Sequence, residues 1–396
     1  MPERLALYGG TPVRASALPY GHHTMTEADV AAVARALQAD WITGGPGVAE
    51  FERCLAARVG AAHGVAVSSG TAALHVAAFA AGLRPGDEAI VPPLTFAATA
   101  NAVLYLGATP VFADVRPDTL TLDPDCVAGK ITPRTRAILG VDFAGLPCDW
   151  DRLRALAERK GARLLDDAAH ALGATYRGRP LGAVADVTAF SFHPVKHVTT
   201  GEGGMVTTED AALAERARRF RNHGITSEAS DRFSRGQWHY EMVDLGFNYR
   251  LTDLQCALGL SQFQRLDDAL ARRRAIATRY RTALAGAPGL TLQALPAGYE
   301  HAWHIFPILL DLDRLAGDRR AVFAALRAEG IGVNVHYIPV YWHPYYQRLG
   351  YAKGLCPVAE AAYERLITLP LFPAMNDADV EDVLTAVRKV IGHFGR

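Results

Sequence analysis

An apolar run that ends in Ser191-Phe192-His193-Pro194-Val195-Lys196-His197 and continues as Thr199-Thr200-Gly201-Glu202-Gly203-Gly204 sets one amine, Lys196, at the mouth of a glycine-rich turn. Ligands of open α/β sheets bind at the carboxyl ends of strands, and desolvation there lowers a lysine's pKa and leaves a nucleophilic amine. Such an amine can condense with an aldehyde or carry a proton. A surface lysine in a tight turn is the plainer reading, and His193 and His197 read equally well as satisfied polar residues.

Three further features stand in the same relation to a strand end. Leu164-Leu165-Asp166-Asp167-Ala168-Ala169-His170 closes an apolar run with two carboxylates, which strand alternation turns in opposite directions. Asp167 is the one expected to hold a pyridinium nitrogen protonated; capping of a following helix is the alternative for the pair. Val67-Ser68-Ser69-Gly70-Thr71-Ala72-Ala73 is a strand-to-helix turn whose N–H groups suit a phosphate or simply cap the helix. Pro93-Leu94-Thr95-Phe96 offers a ring that could stack on a flat cofactor or fill the core. Together the four supply an amine, a pyridinium partner, a phosphate cradle and a stacking ring, which are the parts of a pyridoxal phosphate site.

These residues need a sheet to gather them. Short runs at 65–67, 89–91, 110–112, 137–141, 163–165, 187–190 and 205–207 alternate with helical stretches at 71–81, 98–106 and 151–160, predicting a largely parallel seven-stranded sheet with helical crossovers. From Thr252 to about Ala285 the spacing predicts one long helix joining two lobes. Beyond it, a strand at 303–310, a helix at 320–329, a strand at 331–337 and helices at 357–366 and 377–394 predict a smaller α/β lobe. The expected division is 1–250, a large cofactor-binding domain, and 251–396, a linking helix with a small domain. The polar stretch 226–238 reads as an exposed flap.

Bulk properties narrow the class. The 396 residues, half of them hydrophobic, are ample for two lobes. Basic and acidic side chains number 41 each, so no global field favours nucleic acid. The five scattered cysteines form no C-x-x-C pair, which argues against a disulfide framework or zinc cluster and for a reducing cytoplasm. No apolar run reaches the roughly 18 residues of a membrane span.

The motifs above, with segments 7–12, 41–47, 86–88, 95–101 and 246–253, run nearly end to end and resemble the DegT/DnrJ/EryC/StrS sugar aminotransferases of pyridoxal phosphate fold type I. That resemblance implies that Lys196 holds the cofactor as a Schiff base and acts as general base, with Asp167 on the ring nitrogen. It further places His170 near the ring hydroxyl, Phe96 on the ring face, and Thr71, Ala72 and Ser191 on the phosphate. The family is dimeric, so Asn248 or Arg250 would complete the partner's phosphate site. Some relatives are dehydratases with histidine in place of the lysine; Lys196 therefore argues for transamination. Glutamate is the implied amino donor and a nucleotide-linked keto sugar the acceptor. Segments 199–206, 223–225 and 335–340 are most similar to the enzymes that aminate C4 of UDP-linked 4-keto-6-deoxy-N-acetylhexosamines, as in pseudaminic acid synthesis, with Thr43, His336 and Tyr337 on the substrate side. Asp166 departs from the glutamate of many relatives. The alternatives are a dTDP- or GDP-linked or 3-keto sugar, a fold-type-I enzyme acting on amino acids, or a cofactor-binding regulator without turnover.

Overall fold

The computed structural model describes residues 4–227, 232 and 236–396; of the 226–238 stretch, 228–231 and 233–235 lie outside the described residues. Seven strands form the central sheet: β1 His63–Val67, β2 Glu88–Val91, β3 Thr109–Phe112, β4 Thr135–Val141, β5 Arg163–Asp167, β6 Val187–Ser191 and β7 Gly204–Thr208, in the order β1-β7-β6-β5-β4-β2-β3. β7 runs antiparallel to both neighbours and the other contacts are parallel, so six strands point the same way.

The strands read as unbroken aliphatic runs because both faces are covered. Alternation splits them between two cores: Val65, Val67, Val91, Leu139, Val141 and Leu165 face one, while Ala66, Ile90, Ile138, Leu164 and Phe190 face the other. The Gly70–Ala80 and Ala98–Leu104 helices cover the first face, and Pro46–Arg58 and Trp150–Lys160 the second. Carboxyl termini of six strands thus share one edge, as the strand-end motifs require.

The helix expected from Thr252 to Ala285 is two helices, Asp253–Phe263 and Leu266–Leu284. No proline or glycine breaks it. Ser261, Gln262 and Arg265 are all tied to the buried Asp29 of the Glu27–Leu37 helix, which pulls Arg265 out of helical geometry (φ −107, ψ 7). Asp267 and Asp268 then start the next helix.

The strand expected at 331–337 is an extended segment with isolated bridges at Ile331 to Leu18 and Asn334 to Thr368, because it runs along a cavity instead of joining a ladder. Its place in the small antiparallel sheet is taken by Leu366–Leu369, which begins at the residue where the sequence predicts a helix to end, beside Phe306–Leu310 and Leu290–Leu292. The Arg319–Ala328 and Asp377–Phe394 helices cover that sheet, and Leu5 and Leu18 from the amino-terminal segment join this core. Among the described residues no helix is long and apolar enough to cross a membrane.

Candidate active site

At the shared strand edge lies a cavity of ≈ 560 Å³ lined by Gly70, Thr71, Phe96, Asp167, His170, Ser191, Lys196, His336 and Tyr337, nine of the residues singled out from sequence. Lys196 leaves β6 through a turn in which Lys196 N donates to His193 O (2.9 Å) and Thr200 N to Phe192 O (3.0 Å). Gly201 takes φ +79 in that turn, a region other residues rarely adopt. The amine is ringed by protein but keeps part of its surface open to the cavity. Desolvation and, after the opposing pull of Asp167, the Arg273 charge bring its pKa down to about 8.

Asp167 is fully sequestered at the end of β5. Thr99 Oγ1 donates to its Oδ2 at 2.6 Å and Ala169 N to its Oδ1 at 3.2 Å, and Thr95 in turn donates to Thr99 at 2.7 Å. Burial raises the carboxyl's pKa; the Thr99 and Ala169 bonds and the Lys196 charge draw it back. Asp166 points to the opposite face, against Asp142 at the end of β4, and one oxygen of each lacks a hydrogen-bond partner among the described residues. Desolvation and the neighbouring carboxyl charges raise the pKa of both.

Close approach explains the glycine of the phosphate turn. A Cβ on Gly70 would stand 2.7 Å from Ser191 Cβ and 2.8 Å from its Oγ, so only glycine lets the Gly70–Ala80 helix begin beside β6. The N–H groups of Gly70 and Thr71 make no backbone hydrogen bond among the described residues and open the helix. Ala72 stands apart: it is buried, it does not line the cavity, and Ser69 Oγ already caps its N–H at 3.0 Å.

Phe96 is 62% exposed, which removes the core reading and leaves its ring at the cavity mouth. Tyr337 OH bonds His170 Nε2 at 3.0 Å, while His170 Nδ1 is buried without a partner among the described residues. Burial keeps the His170 imidazole far below its usual pKa and hence neutral. His336 is tied to Thr368 through Nδ1 (2.8 Å), and burial lowers its pKa to about 4.

Besides Ala72, three expected site residues lie outside this cavity. Thr43 bridges Thr252, Asn248 bridges Asn222, and Arg250 bridges Val67 while its guanidinium bonds Asn222 at 2.5 Å. Residues that sequence reasoning missed are Thr99, which holds Asp167, and His304, whose Nε2 lies 3.3 Å from Lys196 Nζ. Thr99 falls within the 95–101 segment that resembles the family, but nothing in its spacing marks the contact. His304 was hidden inside an apolar strand.

Pyridoxal phosphate fits this arrangement. A partly desolvated amine, a sequestered carboxylate, a helix start with two available N–H groups and an orphaned imidazole nitrogen all face one space. Independent comparison agrees. A family model described as the DegT/DnrJ/EryC1/StrS aminotransferase family matches residues 23–388. The spore coat polysaccharide biosynthesis protein SpsC of Bacillus subtilis is 45% identical over 377 residues, covering 94% of this chain and 97% of that protein. The solved structure of Helicobacter pylori PseC, an aminotransferase of pseudaminic acid biosynthesis, superposes with TM-score 0.89 at 30% identity, covering 96% of this chain and 100% of that one. DesI in the presence of its TDP-sugar product gives TM-score 0.87 at 34% identity, covering 98% and 97%. Other solved structures of this fold are described in PLP and PMP forms. The chain therefore belongs to the DegT/DnrJ/EryC1/StrS aminotransferase family and is a pyridoxal phosphate-dependent sugar aminotransferase of fold type I.

Proposed function

We propose that this enzyme moves an amino group from glutamate to C4 of a UDP-linked 4-keto-6-deoxy-N-acetylhexosamine. The observation that carries the chemistry is the shared cavity of Lys196, its pKa lowered to about 8, and Asp167, its carboxylate fixed by Thr99. Support for the acceptor comes from the segments 199–206, 223–225 and 335–340 and from the likeness to PseC.

When bound, pyridoxal phosphate supplies an electrophilic carbon and a ring that withdraws electrons. Lys196 is assigned the covalent attachment and, once released, the proton transfer at the donor Cα; an amine with pKa of about 8 can give or take that proton near neutrality. Asp167 would keep the ring nitrogen protonated. Gly70 and Thr71 N–H and the Ser191 hydroxyl would hold the phosphate, Phe96 would cover one ring face and His170 Nδ1 would meet the ring hydroxyl. Ala72 could take part only if Ser69 released its N–H. His336 and Tyr337 would face the sugar.

The lining includes no arginine and no lysine besides Lys196 among the described residues, although donor and nucleotide sugar are both anionic. We infer that a second copy supplies the missing charge in a homodimer. Asn248 and Arg250 lie outside this chain's cavity, next to the run Trp238, Met242, Leu245 and Phe247, whose side chains are exposed. The same reading takes 1–250 and 251–396 as the two domains, the cytoplasm as the place of action and Thr43 as a substrate-side residue.

The test is spectral. Glutamate added to the loaded enzyme should abolish the visible band of the lysine-bound cofactor, and only the true acceptor in a panel of UDP-, dTDP- and GDP-linked 4-keto and 3-keto sugars should restore it. Recovery with the UDP-linked 4-keto-N-acetylhexosamine supports the proposal. Recovery with another sugar alone refutes that acceptor, and an unchanged band refutes glutamate as donor.

A further inference from the structure

His304 is held where it can meet the reacting amine. Its Nε2 lies 3.3 Å from Lys196 Nζ, the residue is buried, and its Nδ1 has no hydrogen-bond partner among the described residues. The backbone fixes that position from both sides. His304 N donates to Ala144 O at 2.9 Å, and the buried Arg273 Nη1 donates to His304 O and Trp303 O at 3.1 Å each. Trp303 just before it takes φ +52, a conformation costly to any side-chain-bearing residue, and strain of that kind persists where the surroundings over-determine it.

The ring packs at a tilt against two other imidazoles, which carry no negative charge of their own. His170 lies 4.4 Å away between ring centroids and His197 5.7 Å. Burial, reinforced by the Lys196 charge, keeps the His304 imidazole far below its usual pKa and therefore neutral. A neutral imidazole does not repel an ammonium, and a lone pair on Nε2 can accept from it. A bond to the charged form of an amine favours that form and opposes the desolvation that lowers its pKa.

We propose that His304 is a positioning residue for Lys196, its Nε2 accepting a hydrogen bond from the lysine amine whenever that amine is not joined to the cofactor. Lys196 must be detached during each half of the reaction and must then act on a proton without swinging into solvent. His304 holds Nζ at the cavity and keeps its proton affinity near neutrality. This rests on Lys196 being the reacting amine.

The chain has only five lysines, so cofactor-free protein labelled with [13Cε]lysine gives a tractable spectrum, with the Lys196 signal identified by its loss in Lys196→Ala. Asp167, Arg273, His170, His197 and His336 face the amine unchanged in every variant. Replacing His304 by Phe should raise the Lys196 acid constant about tenfold, lowering the titration midpoint by about one pH unit. His304→Gln, which keeps an acceptor near the place of Nε2, should restore most of it. Should His304→Phe fail to fold, as judged by circular dichroism, His304→Met serves instead. A folded apolar variant with an unchanged midpoint overturns the proposal, as does an equal shift in the Gln and apolar variants. Cofactor and substrate are absent throughout, so failure here is distinct from failure of the transaminase reading.

Discussion

At the scale of single residues, the site depends on contacts that set charge. Thr99→Val removes the 2.6 Å bond to Asp167 Oδ2, leaving burial less opposed and the carboxyl easier to protonate. The rate of the glutamate half-reaction should fall about tenfold or more with the fold intact, and Thr99→Ser should recover it, as stopped-flow absorbance would show. Asp142 and Asp166 make a second, thermodynamic prediction. Both titrate above the ordinary value of 3.8, so the folded chain binds more protons than the unfolded chain. Their contribution to stability is complete below that value and is lost as pH rises through their folded pKa values. Urea unfolding of cofactor-free protein should show a loss from pH 5 to pH 8 that Asp142→Asn reduces by about 1.4 kcal/mol, the worth of one pKa unit; equal losses would contradict the assignment. Lys196, Asp167, Gly70, Thr71 and Ser191 were legible because each stands at a strand end, where chain direction alone fixes position. Thr99 and His304 were not, because they reach the site only through the packing of a helix and of the smaller sheet.

At the scale of elements, the seven strands were legible because residues covered on both faces must be aliphatic throughout. The break between Phe263 and Leu266 was not, since every residue there favours a helix and the cause is Asp29, more than 230 positions away in sequence. Asp29 is buried and its bonds to Ser261, Gln262 and Arg265 tie the amino-terminal helix to both halves of the bend. Asp29→Ala should therefore cost about 2–3 kcal/mol in urea unfolding, discounted for the partial exposure of Arg265. A cost below about 0.5 kcal/mol would leave the bend unexplained. The segment 331–337 reads like a strand because Ile331 and Val333 pack in the small-lobe core while Asn334 to Tyr337 line the cavity, and neither requires a ladder.

At the scale of the whole molecule, the cation-poor cavity motivates the proposal that a second copy completes the site. Leu245 is 81% exposed beside Phe247 and Asn248. Leu245→Glu should halve the mass seen by light scattering, weaken cofactor binding and leave the melting temperature of the single chain unchanged; a persistent dimer, or a monomer that binds the cofactor as tightly, would contradict the shared site. The claim on which the account rests is that Lys196 carries the cofactor. Borohydride reduction of the loaded enzyme followed by peptide mass mapping tests it most directly. A pyridoxyl group is expected on the peptide containing Lys196; its appearance on Lys130, Lys160, Lys353 or Lys389, or on no lysine at all, would contradict that role.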